Sequence, residues 1–452
     1  MSFDDIEIRT IDLDSINPVQ SYLSLRRHYP GDSFLLESVG GPHKAARFSI
    51  LGFRPGFKFV SKGHEVKTGG DWTTVPNPFD CLREIYYSFD RRTPPTDLPF
   101  ARGMVGYFSY DMVRLFERLP SQSIDDRRLP DCYFMLPTIV LCFDHLLHKV
   151  HIISVEDGIE DLLREDDIAT GNFEASQSDS SMTRAEYESA VRRAKDYILD
   201  GDIFQVVIAR RKSYSFKGDR MRLYQVLRET NPSPYMFLLD FEDVCLIGSS
   251  PEMLVQLRRG ELLTRPIAGT RPRSDDVEED ERLKIEMLLD PKERAEHIML
   301  VDLHRNDLGR VSEYGSVVVD HLMEVEKFSH VQHIVSGVRG RLRKDCDLFD
   351  ALRASLPAGT VSGAPKIRAM EIIDELEPVR RGPYAGAVGY FDLNGDMDFA
   401  INIRSMVIKN STVYIQAGAG VVADSIPSRE YDETEQKMAV LIKALERRES
   451  CE

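Results

Sequence analysis

A chain of 452 residues can bury a large core and form more than one folding unit, while a formal charge of −16 argues against nucleic acid as a principal partner. No stretch approaches the roughly 18 uninterrupted apolar residues of a membrane span, and MSFDDIEIRT opens on acids where a signal sequence would be basic and apolar. The chain reads as soluble and cytoplasmic, with no membrane partner; Cys81, Cys132, Cys142, Cys245, Cys346 and Cys451 are scattered without a CxxC pair and read as reduced thiols.

Residues 5–155 read as an N-terminal domain of short strands and turns, among them DSFLLESV, RFSILGF, GMVGYFSYD and PTIVLCFDHLLHKVHIISV. Residues 156–182 turn acidic and then Ser-rich (EASQSDSSM), with few large apolar groups, which predicts a linker. Residues 183–447 form the third unit. A helix from Thr183 leads into the strand IFQVVIARRKSY, followed by YMFLLD, VCLIGSS and MLVQL, and two helical stretches lie between Asp280 and Asn306. Strands and helices come in mixed blocks without a regular βαβ repeat, so the expected class is α+β.

Two pairs of glutamates share a three-residue spacing: Glu293 with Glu296 in PKERAEH, and Glu430 with Glu433 in SREYDET. Residues three apart share a helix face, so each pair can present two carboxylates to one point, and two such faces would suit a hard divalent cation. Asp290 suits an N-cap, Pro291 the first helical position and Glu293 the capping-box position, ahead of an apolar stripe at Ala295, Met299 and Leu303. In the second stretch Ser428 suits a cap, and Met438, Leu441, Ile442 and Leu445 form the core stripe, leaving Glu430, Glu433 and Lys437 on an adjoining face. Either pair alone would more often be a solvated helix surface.

The glycine-rich runs carry weaker signals. AGAGVVAD fits a loose dinucleotide pattern but ends before a strand could supply a ribose-binding acid, and AGTVSGAPK lacks P-loop order. In chain order, PIAGTRPR (266–273), KERAEHIMLVDLHRNDLGRV (292–311), VQHIVSGVRG (331–340), PAGTVSGAPKIRAMEII (357–373), YAGAVGYF (384–391), INIRS (401–405) and AGAGVVADSIPSREYDETEQK (417–437) resemble the chorismate-utilising enzymes, and among them the anthranilate synthase component I family. The resemblance spans residues of about 10 to 447. It implies the anthranilate synthase-type fold, with two packed β-sheets forming the core and helices outside.

The resemblance also implies roles. Glu293, Glu296, Glu430 and Glu433 match an acidic cage for Mg²⁺, which holds the ring carboxylate of chorismate; Lys437 matches the cation beside it. Arg404 matches the residue that grips the enolpyruvyl carboxylate, Tyr384 its hydroxyl partner, Gly269 and Thr270 a loop beside the ring carboxylate, and Gly418 and Gly420 a backbone surface against substrate. Glu252 in SSPEML matches the general acid for the C4 hydroxyl, His333 the histidine beside C2, and Thr360 a pocket threonine.

Two positions concern the nucleophile. Gln205 stands where related isochorismate synthases carry a water-activating lysine, and an amide side chain cannot act as a base near neutrality. Ala268 stands where many aminodeoxychorismate synthases carry a nucleophilic lysine. The expected reaction is therefore direct amination at C2 by ammonia, and the absence of a GxCxG nucleophile points to a separate glutaminase subunit as its source. LLES and NPSPYM resemble segments that bind tryptophan as feedback inhibitor, which would make Glu37 and Ser38 one side of a regulatory site and Pro232, Ser233, Pro234, Tyr235 and Met236 the other. The rival readings are an aminodeoxychorismate synthase component and a catalytically silent tryptophan-sensing subunit.

Overall fold

The computed structural model describes residues 7–13, 16–39, 47–91, 96–164, 168–328 and 331–447. Its longest ladder pairs Phe48–Lys62 with Cys132–Asp144, and this ladder is shared by two sheets. The register shifts between Pro55 and Phe57, where Pro55 faces Pro137. Proline has no N–H to give, so the ladder is interrupted there and the pair can turn from one sheet into the other.

Beyond the turn, Ile139–Asp144 pairs with Lys149–Ser154, while Cys132–Met135 pairs with the strand Gly103–Phe108. The first sheet runs from Phe48–Lys62 through Ser33–Glu37, Tyr235–Asp240, Cys245–Ser250, Ser405–Lys409 and Thr412–Val421 to Gln205–Gly218. The second runs from Gly103–Phe108 through Ala387–Asp392, Met397–Ile401, Met253–Arg258 and Glu261–Thr264 to Val331–Arg341. Ile267–Pro272 and Val318–Lys327 flank that last strand. These ladders are antiparallel throughout, in keeping with an α+β fold.

Alternate side chains serve opposite faces. Phe34 and Phe237 from the first sheet meet Val105, Tyr107 and Val388 from the second in an apolar layer between the sheets. Their neighbours Leu35 and Leu238 face outward, under the helices Pro18–His28, Arg220–Thr230 and Pro427–Glu446. The far face of the second sheet, with Phe108, Phe134 and Phe399, is covered by Pro78–Ser88, Arg184–Leu199, Leu348–Ser355 and Lys366–Leu376. With both faces covered, Cys132–Asp144 is buried at every residue, so its sequence reads as an apolar run rather than an alternation.

Three local expectations are corrected. The segment 156–182 carries a short helix, Ile159–Leu162, and a strand, Phe173–Ser180, that pairs with Gln205–Gly218; its polar composition is that of an edge strand largely open to water. Ser428 lies inside the helix Pro427–Glu446, whose N-cap position is Ile426 with no side-chain cap. The helix Pro291–Gly309 buries His297, Leu300, Val301, His304 and Leu308, whereas Ala295 is exposed. Leu441 and Leu445 are buried as expected. No described helix is long and apolar enough to cross a membrane, and the five described cysteines are free thiols, Cys451 lying outside the described residues.

Candidate active site

Two helix starts supply the carboxylates. Asp290 caps the first, its Oδ1 accepting from the N–H groups of Lys292 (2.9 Å) and Glu293 (3.2 Å). Glu293 does not complete a capping box; its Oε1 pairs instead with Arg271 Nη1 at 3.1 Å. The Glu296 carboxyl is pushed up by burial and then by the negative charge of Glu293 and Glu433; Glu430 is pushed up by burial, against a hydrogen bond from Ser425, and by Glu433. The two helices thus bring all four expected glutamates to one region, where they repel one another. Lys437 partly offsets this at 2.7 Å from Glu433 Oε1, and the charge of Lys292 acts on both Glu296 and Glu430. Among the described residues no three acidic, His or Cys side chains close around a point. Carboxylates that repel one another in this way are oxygen donors whose charge a hard cation such as Mg²⁺ would offset, with water completing its shell.

Arg404 lies beside this region with φ of +52°, an uncommon backbone conformation for a side-chain-bearing residue. Its Nη1 donates to the Lys437 carbonyl at 2.7 Å, and Lys437 Nζ donates to the Gly418 carbonyl at 2.9 Å. Among the described residues Arg404 forms no ion pair, and burial lowers its pKa. A half-buried guanidinium without an ion-pair partner, acted on by the more distant charge of Glu433, has the chemistry to receive an anion. The Tyr384 hydroxyl, pushed up to about 12 by burial, feels the charge of Arg404 and meets the Gly418 backbone amide.

Glu252 is buried, its Oε1 has no hydrogen-bond partner, and burial pushes its carboxyl up to about 8. Thr360 faces it and Lys437 acts on it, both pulling downward, yet the Thr360 hydroxyl also remains without a partner of hydrogen-bonding geometry. Gln205, buried too, has an unpartnered Oε1, and its Nε2 would lie 2.6 Å from a Cβ placed on Gly420, so a larger residue there would displace the Gln205 amide.

His333 sits mid-strand, opposite Thr270 on one side and Glu326 on the other. Gly269 forms a bulge between Ala268 and Thr270 with φ of +66°, and the bulge aims its carbonyl at the imidazole. His333 Nδ1 donates to that carbonyl at 2.9 Å, with Thr270 Oγ1 at 3.0 Å, which assigns the proton to Nδ1 and leaves Nε2 as the open base. Burial lowers the His333 pKa, so the ring is neutral near pH 7. A Cβ on Gly269 would come 3.2 Å from Glu293 Oε2, which ties this loop to the carboxylates. Buried Ala268 offers no nucleophile beside it.

A second concavity, of about 380 Å³, is lined by Glu37, Ser38, Pro234, Tyr235 and Met236 together with Asp398, Glu326 and Phe328. Strand pairing of Met236 with Glu37 joins the two expected halves, whereas Pro232 and Ser233 are not among its lining residues. Glu37 is already engaged, accepting from Tyr224 at 2.6 Å and Arg228 at 2.9 Å. Sequence reasoning missed Arg271, Lys292, Ser425, Phe328 and Asp398; Arg271, Lys292 and Ser425 sit inside quoted motifs, and only their proximity in space reveals the partners.

The fold and site define a chorismate-binding enzyme: the family model described as chorismate binding enzyme matches residues 32–443, and the chain belongs to that family. It is 45% identical to anthranilate synthase component 1 of Thermus thermophilus over 98% of each chain. The crystal structure of anthranilate synthase component I from Streptococcus pneumoniae superposes with a TM-score of 0.78 at 40% identity, covering 88% of this chain and 92% of that one. The menaquinone-specific isochorismate synthase of Escherichia coli, at 20% identity, TM-score 0.73 and coverage of 98% and 95%, shares the fold alone.

Proposed function

We propose that the chain is the synthase subunit of an anthranilate synthase, which converts chorismate and ammonia into anthranilate, pyruvate and water. The observation that carries this reading is Glu252, a buried carboxyl with an unpartnered oxygen that stays protonated to about pH 8, in a chain whose full-length relatives bear that name. Arg404 receives the enolpyruvyl carboxylate in its guanidinium fork, with Tyr384 beside it. Glu293, Glu296, Glu430 and Glu433 hold Mg²⁺, which when bound supplies the positive charge that lets them accept the ring carboxylate. Glu252 gives its proton to the C4 oxygen as ammonia adds at C2, and water leaves. His333 then takes the C2 proton through Nε2 as the ether bond breaks and pyruvate departs.

Gln205 and Ala268 favour direct amination, since neither an activated water nor a covalent lysine adduct is available. Ammonia comes from a separate glutaminase subunit: burial raises the pKa of all five described thiols, against nucleophilic use. The 380 Å³ cavity is the tryptophan site, and its size suits one such molecule. Incubation with chorismate, Mg²⁺ and ammonium tests the reading. Fluorescent anthranilate supports it, a 4-amino product moves the chain to the folate-type rival, and no product favours the silent tryptophan sensor. Glutamine alone should yield nothing until a glutaminase subunit is added.

A further inference from the structure

The 380 Å³ cavity and the His333 site share a wall. His333 is gripped from one side by the Gly269 carbonyl at 2.9 Å and Thr270 Oγ1 at 3.0 Å. From another side the ring of Phe328 meets the imidazole edge-on, with centroids 5.6 Å apart and planes at 62°. Phe328 is half-buried, and the same side chain lines the cavity. It follows the strand Val318–Lys327, its N–H donating to the Val331 carbonyl of the strand Val331–Arg341 at 2.8 Å, so it is fixed at the backbone while its ring lies between cavity and imidazole. Glu326, paired in register with His333, also lines the cavity and is ion-paired to Arg265, another lining residue.

We propose that Phe328 is a positioning residue for His333 and that an occupant of the cavity acts on the reaction by moving this ring. The proposal rests on the reading of His333 as the C2 base and of the cavity as a tryptophan site. Because the Phe328 ring touches both the cavity and the imidazole, a ligand that presses on it displaces it against His333. Nε2 is the one nitrogen left free for chemistry, and its direction is set by the three contacts just named. A shift of the ring would therefore reduce turnover while leaving the chorismate carboxylate contacts at Arg404 in place.

The test compares Phe328→Leu and Phe328→Tyr with the wild-type chain, using ammonium as nitrogen donor and L-tryptophan as the probe, with binding followed by calorimetry and folding by thermal melting. Phe328→Leu should lower kcat by about tenfold or more with the chorismate KM held within about twofold, and Phe328→Tyr, which keeps the ring edge, should recover most of kcat. L-tryptophan should bind Phe328→Leu within about threefold of wild-type affinity yet no longer change kcat. Phe328→Met, closer in volume, serves if the leucine variant melts early. Equal inhibition of wild type and Phe328→Leu overturns the proposal, as does an unchanged kcat in Phe328→Leu. Failure of L-tryptophan to bind the wild-type chain overturns the regulatory reading itself, an outcome distinct from binding without response.

Discussion

At the residue scale the burial of Glu252 has two consequences of opposite kind. Its folded pKa of about 8 lies above the ordinary 4.5, so the folded chain holds this proton more tightly than the unfolded one. The corresponding stability is full below pH 4.5 and is lost as pH rises through about 8. Glu252→Gln should remove that dependence, flattening the stability–pH curve over this window by on the order of a few kcal/mol in urea titrations. The same change should lower anthranilate formation by about a hundredfold or more, and wild-type turnover should fall above pH 8 as the acid ionises. Arg404 acts differently, by binding. Arg404→Lys keeps the charge but loses the planar fork, so the chorismate KM should rise by about tenfold with a smaller effect on kcat.

At the scale of elements, two helix starts confront each other with like charge. Glu296→Gln removes one repelling carboxylate, so without metal the melting temperature should hold or rise, while the rise produced by added Mg²⁺ should shrink or vanish. A Mg²⁺ response equal to wild type would exclude Glu296 from the metal site. The Gly269 bulge links these helices to His333. Gly269→Ala introduces a Cβ at φ of +66° within 3.2 Å of Glu293 Oε2, and should cost roughly 1–2 kcal/mol of stability. It should also reduce turnover, since the carbonyl that orients the imidazole must shift.

At the scale of the molecule, the sheets and their helices form one connected packing, and the site is assembled from strands and helices far apart in the chain. Leu246→Ala in the layer between the sheets should cost about 2–5 kcal/mol by chemical denaturation, although Leu246 touches neither the carboxylates nor His333.

Much of this was legible from residues alone. The helix that begins from Thr183, the cap at Asp290, the strands, the glutamate pairs and the residue types at Gln205 and Ala268 are local properties, carried by spacing and side-chain chemistry. Local pattern misled where burial overruled it: the face of Pro291–Gly309 that packs inward carries His297 and His304, whose burial keeps them neutral, with pKa values lowered to about 4 and about 3. Phe173–Ser180 has no apolar signature because it is an exposed edge.

By itself the sequence determined which groups exist and which are missing: four carboxylates, one guanidinium, one acid, one imidazole, and no lysine at the two positions where a relative would carry it. Only the tertiary structure decided their states. Desolvation makes Glu252 an acid near neutrality, the Gly269 carbonyl selects the tautomer of His333, and Arg271 rather than the helix backbone takes Glu293. The cavity that shares Phe328 with His333 is also a product of packing, because volume and dielectric belong to the assembled interior and to no single stretch of chain.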